Sequence, residues 1–307
     1  MRISQIMSQP SLIVRADAGL DIGTGHVMRC FALSRAWRQR GGRVWFVSRT
    51  LPGGIAARLR DGGVEIATIA EDLTAEQEHM AIDEIITAER KQADKVWLLA
   101  DGYHFDMDYF HGLKQLGAPL LVIDDLANLP TYPCELLLNP NIFAEPALYP
   151  EKLSGEAMLG TRFALIRDDL RARMGPTREH PAVARKLLIV LGGADPGGFS
   201  MMLTDAVAQA STCLSRQGGI EGRLIVGAAN PRVEALTRSA PDMVSVHADV
   251  CDMAAMFQWC DMALSAAGST VWEMSMFGVP MILAAQNDGE VRLAGLEAAS
   301  ISGNSNI

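Results

Sequence analysis

Residues 12–31 read LIVRADAGLDIGTGHVMRCF, and this stretch decides the fold class. The run 12–15, three apolar residues followed by Arg15, has the length and composition of a buried strand, and glycines interrupt the segment that follows it. From residue 27 onward apolar and small side chains recur at helical spacing until Gly41 and Gly42 end the helix. A strand, a loop and an amphipathic helix form one βα unit of a parallel sheet. The residues near the apolar face are Val27, Cys30, Phe31, Ser34 and Trp37, whereas Arg29, Arg35 and Arg38 lie outside that stripe.

The same alternation of short apolar runs and amphipathic segments continues along the chain. The segment 167–186 is charged, contains prolines and shows no strand pattern, which is typical of a connection between domains. We therefore predict an α/β protein with two domains, 1–178 and 179–307, each with an open parallel sheet, and a cleft between them. The predicted strands are 12–15, 44–48, 64–69, 96–100, 120–123 and 136–138 in the first domain and 186–191, 223–226, 244–247, 262–265 and 280–284 in the second.

Length and composition narrow the class of protein. The chain has 307 residues, 49% of them hydrophobic and 21% charged, which suits two globular domains. The net charge of −9 argues against nucleic-acid and acidic-membrane partners, because both require a positive surface. The five cysteines form no C-x-x-C pair, so we expect reduced, mostly buried thiols. The first ten residues lack the apolar core of a signal peptide and no membrane-spanning run occurs, so a cytoplasmic protein is expected.

The loop that ends at His26 is the first candidate site. Gly23 and Gly25 allow the backbone to approach an anion, and the helix N-terminus offers unpaired N–H groups to a diphosphate. The pattern is neither the dinucleotide motif G-x-G-x-x-G nor the phosphate loop G-x-x-x-x-G-K-[ST]. A histidine imidazole titrates near neutrality and can take a proton from water as it attacks. Position alone does not separate this role from capping or packing.

Two further loops follow predicted strands of the second domain, where ligands of open parallel sheets bind. Residues 191–198 contain four glycines and Asp195, in a sharp turn that could approach a ligand or could be an ordinary βα turn. Residues 265–273 place small side chains before a helix that includes Glu273, whose carboxylate could accept hydrogen bonds from a ribose diol. Thr270-x-x-Glu273 also fits a capping box, in which Glu273 would bond a backbone N–H.

Other motifs give weaker signals. Asp106 and Asp108 have the D-x-D spacing that can hold a divalent metal, but a charged helix start explains them better. The remaining histidines show no H-E-x-x-H spacing and no serine lies in G-x-S-x-G, so neither a metalloprotease nor an α/β-hydrolase is indicated.

Taken together, seven short motifs, in order over nearly the whole chain, resemble those of a known family. They are Arg15-x-Asp17, Ile22-Gly23-x-Gly25-His26-Val27-Met28-Arg29-Cys30, Asp101-x-Tyr103, Asp124-Asp125, Leu138-Asn139-Pro140-Asn141, Leu191-Gly192-Gly193-x-Asp195-Pro196 and Ser265-Ala266-x-Gly268-Ser269-Thr270-x-x-Glu273. The combination resembles the UDP-2,4-diacetamido-2,4,6-trideoxy-β-L-altropyranose hydrolases (PseG) of pseudaminic acid biosynthesis. That family is similar to the MurG-type glycosyltransferases, which implies a GT-B architecture of two Rossmann-like domains with the nucleotide sugar in the cleft.

The resemblance also implies a reaction and a set of site residues. Water would replace the sugar acceptor, the anomeric C–O bond would break with inversion, and UDP would leave, with no metal and no cofactor. His26 would be the catalytic general base. The residues expected to bind the UDP-sugar substrate are Asp17, Gly23, Thr24, Gly25, Gly193, Asp195, Gly268, Ser269, Thr270 and Glu273, with Ser269 and Thr270 on the diphosphate and Glu273 on the uridine ribose.

The sequence also departs from the family pattern. Ala267 stands where many relatives have glycine. Residues 286–288 lead to a short finish, 300–307, that is rich in serine and asparagine, so the closing helices of the family are expected to be missing or altered. Two alternatives stay open. One is a GT-B glycosyltransferase that passes the sugar to an acceptor, and the other is a non-catalytic nucleotide-sugar sensor or an inactive variant.

Overall fold

The computed structural model describes residues 9–20, 22–149, 151, 153–176, 178–193, 195, 197–215, 218–227, 230–286 and 290–291. The expectations for residues 1–8 and for the chain end at 292–307 lie outside these residues, as do Asp21 of the first candidate loop and Pro196 of the motif at 191–196. Contacts between Cα atoms divide the chain into two units. The first comprises 1–18 and 26–165, and the second comprises 19–25 and 166–307. The boundary predicted near residue 178 lies C-terminal to this division.

The first unit contains a seven-stranded parallel sheet with the order β3-β2-β1-β4-β5-β6-β7. All six of its strand pairs are parallel. The strands are β1 Ser11–Ala16, β2 Arg43–Ser48, β3 Glu65–Thr68, β4 Val96–Asp101, β5 Leu120–Ile123, β6 Leu136–Asn139 and β7 Glu156–Leu159. The helices that cover this sheet are α1 Gly25–Gln39, α2 Gly53–Asp61, α3 Ala75–Glu89 and α4 Met107–Gln115.

Both faces of this sheet are buried, which explains why its central strands read as continuous apolar runs. Successive residues of β1 point to opposite faces, so Ile13 packs on one side with α3 and α4 while Leu12 and Val14 pack on the other with α1 and α2. The helix predicted after the first strand is confirmed, and Val27, Cys30 and Phe31 of its apolar face are buried as expected.

The second unit contains a five-stranded parallel sheet with the order β10-β9-β8-β11-β12. Its two apolar clusters again lie on opposite faces, with Leu188 of β8 in one and Ile189 in the other. The strands are β8 Lys186–Val190, β9 Glu221–Val226, β10 Val244–Ala248, β11 Met262–Ser265 and β12 Met281–Leu283. The helices are α5 Asp168–Arg171, α6 Phe199–Cys213, α7 Val233–Ser239, α8 Met253–Trp259 and α9 Thr270–Met276.

The eleven predicted strands are confirmed to within two residues at either end, and the α/β class with two parallel sheets is correct. The described cysteines are free thiols, of which Cys30, Cys134 and Cys260 are buried. No helix in the described part of the chain is long and apolar enough to cross a membrane.

Candidate functional site

His26 is the second residue of α1 and lies just beyond the carboxyl end of β1. The loop that precedes it is tightened by a pair of backbone hydrogen bonds between Gly19 and Gly23, at 2.8 and 3.0 Å, and Gly23 has a positive φ of 77°. Only 6% of the His26 surface is exposed. A buried imidazole at this position requires a polar partner, and the structure supplies one from β4.

That partner is Asp101, the last residue of β4. Its Oδ1 lies 2.7 Å from Nδ1 of His26. An ionised carboxylate can only accept a hydrogen bond, so the contact requires the proton of a neutral imidazole to lie on Nδ1. With the Nδ1 proton donated to Asp101, the approach of Arg29 Nη2 to Nδ1 at 3.3 Å is a contact between two donor groups rather than a hydrogen bond. No described hydrogen bond involves Nε2, so its lone pair is available. This is the arrangement in which a carboxylate orients a histidine to act as a base.

Asp101 is also held by Arg29, one turn along α1 from His26. The Arg29 guanidinium donates from Nε to Oδ2 and from Nη2 to Oδ1, both at 2.6 Å, which is a two-point contact between planar groups. Burial acts to raise the pKa of Asp101, but the charge of Arg29 and the hydrogen bond with His26 outweigh it and hold this pKa well below its usual range. Asp101 is therefore ionised beside the imidazole.

A second carboxylate completes the charge cluster. Arg29 Nη1 lies 2.8 Å from Oδ2 of Asp125, in the loop after β5. The Tyr103 hydroxyl donates to the same Asp125 at 2.8 Å, and its ring meets the His26 ring edge-on with centroids 4.5 Å apart. Asn141, after β6, donates to Asp125 Oδ1 at 2.9 Å. The cluster thus follows the carboxyl ends of three adjacent strands, where parallel sheets hold their functional groups.

A hydrogen-bonded chain behind this cluster fixes the loop after β5. Asn139, at the end of β6, donates to the Tyr149 hydroxyl at 2.9 Å, and Tyr149 donates to Asp124 at 2.5 Å. The Asp124 carboxylate also accepts hydrogen bonds from the backbone N–H groups of Leu126 and Ala127. Asp124 therefore stabilises the shape of the loop, whereas Asp125 pairs with Arg29.

Sequence reasoning identified His26 but gave no role to Arg29, Asp101 or Asp125. Arg29 was expected only to lie outside the apolar stripe of α1, yet its side chain is 10% exposed because it reaches the two carboxylates. The sequence did carry a signal for Asp101 and Asp125, because the motif that contains each of them follows an apolar strand pattern. The carboxyl ends of adjacent parallel strands meet at one edge of the sheet.

Asp17 lies at the start of the loop that leads to His26, and it is 3% exposed. It accepts the Arg49 backbone N–H at 2.7 Å, pairs with Arg15 at 2.7 Å, and lies 3.4 Å from Nε2 of His104. Burial opposes ionisation, but His104 and Arg15 together lower the pKa of Asp17 to about 2. These contacts anchor the loop, and a role of Asp17 in binding the substrate stays a prediction.

In the second unit, Asp195 lies just before α6. Its carboxylate accepts the backbone N–H groups of Phe199 at 2.9 Å and Ser200 at 3.1 Å, and the Ser200 hydroxyl at 2.6 Å. These are hydrogen bonds of a side chain that caps the first turn of the helix. The geometry is that of the ordinary βα turn considered for this residue, and a contact of Asp195 with the substrate stays a prediction.

The loop at 191–193 approaches another backbone segment closely. A Cβ atom added to Gly227, after β9, would lie 2.4 Å from the Cα atom of Gly193. No side chain fits between these two loops, so glycine is required at residue 227. By contrast, a Cβ atom added to Gly268 would have no atom within 4 Å.

The third candidate loop leads into α9. The helix begins at Thr270, with Ser269 as the N-cap residue and no side-chain capping hydrogen bond. The Thr270-x-x-Glu273 capping box requires Thr270 to be the N-cap residue, whereas Thr270 is the first residue of the helix. Oε1 of Glu273 accepts a hydrogen bond from Nε of Arg167 at 3.1 Å. The contacts expected between the substrate and Gly268, Ser269, Thr270 and Glu273 stay predictions.

The remaining candidate residues lie at or just before the first residues of helices. Asp106 is the N-cap residue of α4 and accepts the Tyr109 backbone N–H at 2.8 Å, so its charged helix-start role is confirmed. Gly23, Thr24 and Gly25 belong to the short segment 19–25 that groups with the second unit by its contacts.

Comparison with known proteins defines the fold. No protein-family model matches the sequence, and no curated protein matches it. The S. aureus MnaA–UDP co-structure superposes with a TM-score of 0.59 at 13% identity, covering 95% of this chain and 83% of that chain. MurG of Acinetobacter baumannii gives 0.56 at 18% identity, covering 95% and 84%. A putative UDP-N-acetylglucosamine 2-epimerase of Listeria monocytogenes gives 0.56 at 13% identity, covering 97% and 89%.

Identities this low establish the architecture alone. The two parallel-sheet domains have the GT-B fold, as the resemblance to MurG-type proteins implied.

Proposed function

We propose that the chain hydrolyses a UDP-linked 2,4-diacetamido-2,4,6-trideoxyhexose at the anomeric C–O bond and releases UDP and the free sugar. The observation that carries this proposal is the hydrogen bond between His26 and Asp101, which leaves Nε2 of His26 able to accept a proton. The sequence motifs shared with the PseG hydrolases supply the substrate class. The fold shared with the MnaA–UDP co-structure is consistent with a UDP ligand.

In the proposed reaction, His26 Nε2 takes a proton from a water molecule as the water oxygen attacks the anomeric carbon. The new C–O bond forms on the face opposite the diphosphate, the old anomeric C–O bond breaks, and UDP leaves with its electron pair. The configuration is inverted because attack and departure occur on opposite faces. Asp101 stabilises the imidazolium that forms, because its negative charge is already in place before the reaction.

The second domain is proposed to bind UDP. Ser269 and Thr270 would donate hydrogen bonds to the diphosphate and Glu273 would accept them from the ribose, as the resemblance implies. Gly193 and Gly268 would allow the backbone to approach the nucleotide. Glu273 accepts a hydrogen bond from Arg167 at 3.1 Å in this structure.

A GT-B glycosyltransferase is the second candidate, because MurG shares the fold and a base can deprotonate a sugar hydroxyl as well as water. A binding protein without catalysis is the third. Incubation with the diacetamido-trideoxy UDP-sugar, followed by NMR, separates the three. UDP release without an acceptor, with inverted sugar as the first product, supports the hydrolase. Release only with an acceptor identifies the transferase, and binding without turnover identifies the sensor.

A further inference from the structure

His26 has more charged neighbours than the single carboxylate of a simple histidine–carboxylate pair. Within the first domain, the ring is faced by Asp101 from β4, by Arg29 from α1 and by Tyr103 from the loop after β4. Cys30 of α1 donates a hydrogen bond to Asp101 at 3.4 Å, and Asp125 pairs with Arg29. Burial and Asp101 raise the pKa of the Cys30 thiol, and burial and Asp125 raise the pKa of the Tyr103 hydroxyl. Both are therefore neutral, so two carboxylates and one guanidinium set the field at the ring.

Arg29 acts on the imidazole from almost the same distance as Asp101. Its Nη2 lies 3.3 Å from Nδ1 of His26, whereas Oδ1 of Asp101 lies at 2.7 Å. The Asp101 side chain is fully buried and that of Arg29 is 10% exposed, so water and salt screen these charges weakly. The guanidinium bound to Asp101 therefore offsets part of the attraction of that carboxylate for an added proton on His26.

We propose that Arg29 is a positioning residue that sets the pH range over which His26 acts as a base, by offsetting part of the charge of Asp101 while keeping that carboxylate in place. Asp125 holds Arg29 through Nη1 and adds a more distant negative charge. The inference rests on the proposed function in taking His26 as the base.

Charge balance predicts opposite effects for two substitutions. In Arg29→Gln, one cation is removed, so the His26–Asp101 pair binds a proton at higher pH, whichever of the two carries it. The acid limb of kcat/KM against pH should move up by about 1–3 pH units. In Asp125→Asn, one anion is removed, so the acid limb should move down, by less, because Asp125 is further from the ring. A role in folding alone gives no such pair of opposite shifts.

Two further variants separate charge from shape. Arg29→Lys keeps the cation but loses the two-point contact, so the acid limb should stay near that of the wild type while kcat falls. Arg40→Gln removes an exposed cation just after α1, whose hydrogen bond is to the Ala36 carbonyl, and it should leave both the limb and kcat unchanged. Circular dichroism and thermal unfolding of each variant check that the domain is folded.

A second readout does not depend on turnover. The His26 ring resonances are assigned by their loss in His26→Gln, and long-range ¹H–¹⁵N spectra then follow the ring between pH 5 and pH 9 in wild type, Arg29→Gln and Asp125→Asn. Opposite displacements of the titration support the proposal. Unchanged midpoints, or displacements in the same direction, overturn it. If no UDP-sugar is hydrolysed, the proposed function fails, whereas the ring titration still decides the role of Arg29.

Discussion

Ala16 and Asp101 are paired in register at the carboxyl ends of the neighbouring strands β1 and β4. The loop that starts after Ala16 leads to His26, so the imidazole returns to the strand end on which Asp101 lies. His26 and Asp101 are separated by 75 positions in the sequence, yet Nδ1 of His26 and Oδ1 of Asp101 are 2.7 Å apart. The strand order of the sheet, rather than any local spacing, therefore creates the pair.

Replacement of His26 by alanine should remove the base and leave nucleotide binding intact. A general base contributes on the order of 10²–10⁴-fold to a rate, so kcat should fall by about that factor while the Kd of UDP stays nearly the same. Kinetics and calorimetric titration with UDP measure the two quantities. The control is His111→Ala, on the exposed side of α4, which should change neither. Unchanged turnover in His26→Ala would remove this residue from the mechanism.

Replacement of Asp101 by asparagine should remove the constraint that keeps the proton of the neutral His26 ring on Nδ1. The amide can donate as well as accept, so Nδ1 is no longer required to carry the proton, and Nε2 can lose its lone pair to protonation. We expect kcat to fall on the order of 10²–10⁴-fold with a small change in KM, and the ring resonances to show a changed tautomer. A variant with normal kcat would show that the His26–Asp101 hydrogen bond has no part in the reaction.

Sequence periodicity predicted most of the fold because buried parallel strands are continuous apolar runs. The exception is β7, residues Glu156–Leu159, which was not predicted. This strand lies at the edge of the sheet next to β6, and its first two residues are exposed, so its sequence carries little apolar signal.

The site was less predictable than the fold, for a different reason. His26 lies in a loop whose glycines and imidazole are visible in the sequence, but Arg29 looks like a solvated helical residue until the strand order brings Asp101 and Asp125 beneath it. For Asp195, the resemblance implied a substrate contact while the loop sequence also fitted an ordinary βα turn, and its described hydrogen bonds include three to α6. Side-chain partners depend on which strands are adjacent, and one sequence does not state that order.

Glu78 of α3 should be a major source of stability for the first domain. Its buried carboxylate pairs with Arg15, which is 1% exposed, and with Arg49 at 2.6 Å, and it also accepts the Tyr109 hydroxyl. Glu78→Gln leaves the Arg15 charge buried with one carboxylate, Asp17, so the free energy of unfolding should drop by about 3–5 kcal/mol. Urea unfolding measures it. Glu84→Gln, on the exposed side of the same helix, should cost less than about 0.5 kcal/mol, and equal losses would contradict the argument.

Asp17 should make the first domain sensitive to acid. The pKa of Asp17 is about 2 in the folded chain against an ordinary value of 3.8, because His104 and Arg15 outweigh the effect of burial. A group whose folded pKa is lowered stabilises the fold above its unfolded pKa, and this contribution is lost as the pH falls from about 4 to about 2. Wild type should thus be more stable than Asp17→Asn by about 2 kcal/mol at pH 6, and the difference should shrink towards pH 2. Urea unfolding at several pH values measures it, with exposed Asp94→Asn as the control. A difference that does not vary with pH would contradict this.

Gly227 should be needed for the shape of the loop at Gly193. In Gly227→Ala the new Cβ atom would lie 2.4 Å from the Cα atom and 2.5 Å from the carbonyl oxygen of Gly193, and backbone atoms cannot rotate away as a side chain can. The second domain should lose about 1–3 kcal/mol of stability, and UDP should bind more weakly because the loop after β8 is displaced.

Gly268→Ala is the matched variant for this test, since a Cβ atom there would have no atom within 4 Å and the stability should not change. A loss of UDP affinity in Gly268→Ala without a loss of stability would then report contact with the nucleotide itself. Equal stability of the Gly227→Ala variant and the wild type would show that the two loops are further apart than the structure places them.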